Sequence, residues 1–235
     1  MSKGYVALAL AALLLPVPAV GQVGHDPAHS PFHPITVRTG VTLVGGYLAG
    51  SGGKIGVGPA DGYLAGLRYD MRLTGPTDLT VGVTWNRLQR MVPHPAAAPD
   101  AQLTGPVRQS VVIVESGISI LLTGDKTWKG LAPYLGATLG LAFGQTVPAD
   151  SSGFRIRTKF LSGPHVGLRF YASQAVFVRL EGRLLFWQLK YPTSFFETPT
   201  GVPDAAPLLD PAVNSASEWT AHPSLQIGLG FAFRL

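Results

Sequence analysis

The sequence contains no cysteine. That excludes a disulfide framework, a thiol nucleophile and any metal site held by thiolates. Charge is scarce as well. Asp, Glu, Lys and Arg make up 13% of 235 residues, and the net charge of +5 is spread along the chain without a basic stripe. No nucleic-acid partner is expected from such a distribution. Beyond the first 21 residues no long unbroken apolar run occurs, so no helix is expected to cross a bilayer, which takes about 20 consecutive apolar residues. The glycine-rich stretch GSGGKIGVG (Gly50–Gly58) lacks the GxxxxGK[ST] spacing of a phosphate cradle. No cofactor and no metal are expected.

What the chain has instead is glycine, 29 residues of it, in a low-charge background that suits strands better than helices. It opens with Lys3, an eleven-residue apolar run ending at Leu15, and the small residues Ala19 and Gly21. A basic start, a short apolar core and small residues before a cut read as a secretory signal over residues 1–21. Residues 22–34 are rich in Pro and His and read as a flexible periplasmic tail. His25, His29 and His33 recur every four residues there, but the intervening prolines argue against the helix that would gather them.

From residue 35 onward hydrophobicity alternates with a period of two. Tyr63, Ala65, Leu67, Tyr69 and Met71 oppose Gly62, Gly66, Arg68, Asp70 and Arg72. Leu79, Val81, Val83 and Trp85 oppose Thr80, Gly82, Thr84 and Asn86. Six further segments behave alike, the last being Gln226–Phe233, so eight strands are expected. The connections alternate too. Short ones (TGPT, TGDKTWKGLA, ASQ) exchange with long ones rich in Pro, Gly and Ser, the longest spanning about 191–221. Short turns at one end and long loops at the other are the layout of a membrane barrel. The fold class read from this is all-β: an eight-stranded antiparallel up-and-down transmembrane β-barrel over residues 35–235.

The second face carries Gly, Thr, Ser and Arg with a few acids, and not the Lys and Glu mixture of a water-facing surface. It is therefore read as the interior. A lumen charge network is expected from Arg38, Arg68, Asp70, Arg72, Glu115, Arg169, Arg179, Glu181, Arg183 and Arg234, with Arg90 and His165 on the same face. An unpaired charge in a narrow lumen is costly, so these groups should bridge one another and hold the barrel shut. Aromatic belts are expected from Tyr47, Tyr63, Trp85 and Phe143 near the long loops, and from Tyr134, Phe170, Phe231 and Phe233 near the short turns.

On these segments, above all Pro133–Gly144, Gly163–Trp187 and the final strand, the sequence resembles the small eight-stranded outer-membrane barrels, the OmpA-like transmembrane barrel family without a periplasmic domain. The resemblance covers about Ile35–Leu235. It implies that Gln226, Gly228, Phe231, Phe233 and Leu235 form the C-terminal assembly signal read by the barrel assembly machinery. It implies outer-membrane lipid and lipopolysaccharide as surroundings, a monomer, periplasmic termini and a Gram-negative-type (diderm) outer membrane.

The expected role is structural, at the cell surface, with no enzymatic activity. A narrow passive pore gated by Glu181 exchanging partners among Arg68, Arg179 and Arg183 is the alternative. A lipid hydrolase using His222 and Ser224 is a further one, weakened by the lack of an assignable acid. A soluble ligand-binding barrel would put Val, Leu and Phe inside. The last long loop, with Phe195, Phe196, Leu208, Leu209 and Trp219, is the expected partner contact or a lid over the mouth.

Overall fold

The computed structural model describes residues 30–201 and 206–233. The expected signal segment, most of the tail including His25 and His29, and Arg234 and Leu235 lie outside the described residues. Ten strands run in chain order: β1 (Phe32–Pro34), β2 (Thr39–Leu48), β3 (Gly62–Thr74), β4 (Thr77–Pro93), β5 (Leu103–Leu121), β6 (Lys126–Trp128), β7 (Leu131–Gly144), β8 (Lys159–Tyr171), β9 (Val176–Lys190) and β10 (Ser217–Phe233). The helical content of the described residues is two single 3-10 turns, Pro99–Ala101 and Thr193–Phe195.

Eight of the strands close a ring. Each pairs antiparallel with its neighbours in the order β2-β3-β4-β5-β7-β8-β9-β10, and β10 returns to β2. The closing ladder sets Ser224 opposite Leu48 and Phe233 opposite Thr39 without a register shift. No edge strand is left in the ring, so every ladder has a partner on both sides. The eight strands run from 10 to 19 residues. About 9–11 tilted residues suffice to cross a hydrocarbon layer, so each strand is long enough.

The two remaining strands are three residues each and pair with one another, Phe32 opposite Trp128 and Pro34 opposite Lys126. The end of the expected flexible tail is thus held as a strand against the β5–β7 connection. Ile35 packs beside Leu121, Ala132 and Tyr134 at the same end.

Side chains alternate between buried and exposed along most of each ring strand. In β4, Val81, Val83 and Trp85 stand exposed between buried Thr80, Thr84 and Asn86. Large apolar side chains are exposed on the outer face of all eight ring strands, among them Leu43, Leu67, Val83, Val114, Leu139, Phe160, Leu180 and Leu229. Tyr47 and Tyr63 meet edge to face at 5.3 Å near the long loops, with Trp85 and Phe143 also exposed there. Phe170, Phe231 and Phe233 are exposed toward the short turns. Tyr134 does not join them: it is buried and points into the barrel.

Candidate functional site

The interior is layered. Nearest the short turns, Asp70 receives Arg179 at 2.6 Å and Arg169 at 3.4 Å, and Asp78 receives Arg169 at 2.6 Å and Arg72 at 2.9 Å. Thr80 donates to Asp70 at 2.7 Å. The Arg169 guanidinium also lies 5.1 Å from the Tyr134 ring centroid and 5.8 Å from that of Phe177, a cation–π arrangement that suits a delocalised cation.

In the middle of the barrel Glu181 lies 2.6 Å from Arg68 and 3.1 Å from Arg183. Glu115 lies 2.8 Å from Arg183 and 3.3 Å from Arg68. Two acids and two arginines thus form a closed four-membered ring of contacts contributed by β3, β5 and β9. Arg68 also donates to Gln226 on β10 at 2.6 Å, and Tyr134 on β7 donates to Glu181 at 2.6 Å. Each of the four charged side chains is almost wholly buried. Such a set is stable only when each member keeps its partners. Gly167 makes room for it, because a Cβ there would sit 2.3 Å from the Tyr134 ring.

Eight of the ten residues expected in the network therefore share ion pairs: Arg68, Asp70, Arg72, Glu115, Arg169, Arg179, Glu181 and Arg183. Arg38 does not. The chain enters β2 only at Thr39, so Arg38 lies outside the ring and is exposed. Arg234 lies outside the described residues. His165 is buried beside the network and shares a hydrogen bond with Ser119 at 2.9 Å. Asp78 and Tyr134 were missed. Both stand on the inward phase of their strands, Asp78 with Thr80 and Tyr134 with Gly136 and Thr138, and that phase was the available signal. Gly230 makes room for the Phe177 ring: an added Cβ would lie 2.1 Å from it.

Toward the long loops the interior changes character, against the expectation of a polar lumen throughout. Inward-facing Leu48, Leu64, Leu88, Ile113, Leu185, Trp187 and Leu189 form an apolar core with Val57, Phe154, Ile156, Phe195 and Leu209 from the loops. Phe196 and Leu208 pack against it. The last long loop thus folds into the barrel mouth as a lid. Trp219 belongs to β10 and is exposed on the outer face.

Arg90 is separate from the main network. It is buried, ion-paired to Asp150 of the β7–β8 loop, and donates to the Val57 carbonyl of the β2–β3 loop at 3.1 Å. One side chain of the wall thus fastens two loops. Burial pushes the Asp150 carboxyl up, but hydrogen bonds from Ser152 and Arg90 outweigh that and hold it below the ordinary carboxylate value. Tyr191, at the start of the last loop, donates to Glu218 at 2.7 Å. Burial and that hydrogen bond raise its phenol above the ordinary value.

His222 and Ser224 both face inward but form no catalytic pair. His222 stacks on Trp187 at 3.7 Å between ring centroids, and its Nε2 lies 2.7 Å from the Thr220 hydroxyl. Ser224 accepts from Gln226 at 3.2 Å. No carboxylate orients His222 among the described residues, and the site is shut inside the wall. Among those residues no cluster of three or more His, Asp or Glu side chains could hold a metal.

No protein-family model matches the sequence, and comparison with curated proteins gives no match. Solved structures do match in shape. The outer membrane protein OprG from Pseudomonas aeruginosa superposes with a TM-score of 0.54 at 8% identity, covering 88% of this chain and 100% of that one. Neisserial surface protein A matches with a TM-score of 0.48 at 15% identity, covering 87% of this chain and 98% of that one. At such identities the likeness concerns the fold. The chain has the eight-stranded antiparallel up-and-down barrel fold of small outer-membrane proteins.

Proposed function

We propose that this chain is an integral outer-membrane β-barrel with a closed, charge-filled lumen, long extracellular loops and a structural role at the cell surface. One observation carries the reading: large apolar side chains are exposed on all eight ring strands while the nine charged residues of the lumen network are paired inside. Water would penalise that outer face and lipid covers it. The apolar half of the interior does not favour a soluble ligand-binding barrel, because such a barrel would not also expose the outer belt. Termini at the short-turn end are periplasmic in this reading, and the monomer is surrounded by outer-membrane lipid and lipopolysaccharide. The final strand, with Gln226 and Gly228 inward and Phe231 and Phe233 outward, presents itself to the barrel assembly machinery.

The role is non-enzymatic and non-conducting. Three features support closure: the central ring of Arg68, Glu115, Glu181 and Arg183, the Asp70–Arg179 layer beneath it, and the loop residues seated in the mouth. Single-channel recording in planar bilayers tests this. The expected result is no discrete conductance steps, either for the native chain or for Glu181→Ala, because the layers above and below remain in place. Steps in the native chain that Glu181→Ala alters would replace this reading with that of a gated pore.

A further inference from the structure

Most charges of the barrel wall are paired inside, but Lys190 of β9, Arg87 of β4 and Arg108 of β5 are exposed on its outer face near the loop end. At the loop end of β3–β5, Arg87 and Arg108 point outward and are exposed. Neither has an ion-pair or hydrogen-bond partner among the described residues. They line an outward-facing groove of about 470 Å³ together with Tyr47, Tyr63, Trp85 and Asp61. Its charge is +2 from the arginines and −1 from Asp61, a net +1. Asp61 is already occupied, accepting the Gly50 amide at 3.0 Å.

The groove's depth in the wall is set by the ladder. Arg87 stands opposite Tyr63, and Trp85 opposite Ala65. Arg87 is two residues beyond Trp85, roughly 7 Å further along the strand, and Arg108 lies opposite Gln89, two residues further still. Below Trp85 the same outer face is Val83, Val81 and Val114, with no charge. Aromatic rings followed at once by two free guanidinium groups match a molecule with acyl chains below and an anionic headgroup above. Aromatic side chains mark the boundary between hydrocarbon and headgroup, and the planar guanidinium fork fits phosphate oxygens in a bidentate manner.

We propose that this groove binds the phosphorylated headgroup of lipid A, with Arg87 and Arg108 on a phosphate and Tyr63 and Trp85 against the adjoining acyl chains. The proposal rests on the membrane orientation given above. Two charge-assisted hydrogen-bonding groups are worth at least about tenfold in affinity. The full chain, folded in zwitterionic detergent micelles, is titrated with lipid A, with dephosphorylated lipid A and with phosphatidylglycerol, and bound lipid is counted by native mass spectrometry. Lipid A is expected to bind at least about tenfold more tightly than either other lipid. The Arg87→Gln/Arg108→Gln double variant is expected to lose that advantage while binding dephosphorylated lipid A as before. Equal binding of lipid A and phosphatidylglycerol, or an unchanged preference in the double variant, overturns the site. A chain that shows no heat-modifiable gel mobility in micelles overturns the membrane reading as well. A heat-modifiable barrel without the preference overturns the lipid site alone.

Discussion

Replacing Glu181 by alanine is expected to destabilise the folded barrel by about 3–5 kcal/mol, the cost of removing one member of a buried ion pair. Glu181 has three partners to lose. It holds Arg68 at 2.6 Å and Arg183 at 3.1 Å and accepts the Tyr134 hydroxyl at 2.6 Å. Without it Glu115 alone faces two guanidinium groups, and Tyr134 loses its acceptor in a place that water cannot reach. Glu181→Gln keeps an acceptor for Tyr134 but not the charge, so its cost should fall between that of alanine and zero. Urea unfolding in lipid vesicles, followed by tryptophan emission, gives both values. A loss below about 1 kcal/mol for alanine, the range of exposed pairs, would mean that the central ring is not sealed from water.

Leu67→Arg is the second substitution with a large expected effect, and it probes the opposite face. Leu67 lies near the middle of β3, between Leu43 and Val83 on the neighbouring strands, and is 47% exposed. Against water an exposed leucine exchanged for arginine stays within about 0.5 kcal/mol. At the centre of a bilayer the same change costs about 2–4 kcal/mol, falling to 0–1 near the interfaces. A large loss is therefore expected for Leu67→Arg and a small one for Tyr63→Arg, four residues nearer the loops on the same face. Equal, small effects at both positions would show that the belt is not covered by lipid.

The ring strands were legible because a wall with two unlike environments imposes a period of two, which the sequence displays along the strands between Thr39 and Phe233. β1 and β6 were not, since three residues carry no periodicity and their pairing depends on where the chain returns. The inward phase located Arg68, Glu115, Arg169, Arg179, Glu181 and Arg183, but it fails where a strand starts. Extending it by one residue put Arg38 inside, although β2 begins at Thr39. Tyr134 shows the reverse error. Its chemistry suggested an interfacial belt, while its phase put it beside Glu181, and the phase decided. The apolar upper half was readable in β9, where the inward series Glu181, Arg183, Leu185, Trp187 and Leu189 passes from charged to apolar. The partner of Arg90 was not readable. Asp150 is 60 residues away in a loop, and only the folded β7–β8 connection brings it to the wall.

In the proposed reading lipid, and not protein or water, covers the outer face of a closed barrel. The most direct measurement is the behaviour of the native chain on expression with its first residues intact in a diderm host: membrane fractionation with an alkaline carbonate wash, followed by gel electrophoresis with and without boiling. A lipid-embedded barrel stays in the washed outer-membrane fraction and runs faster unboiled than boiled. A chain recovered in the soluble periplasm, with the same mobility in both lanes, would contradict it.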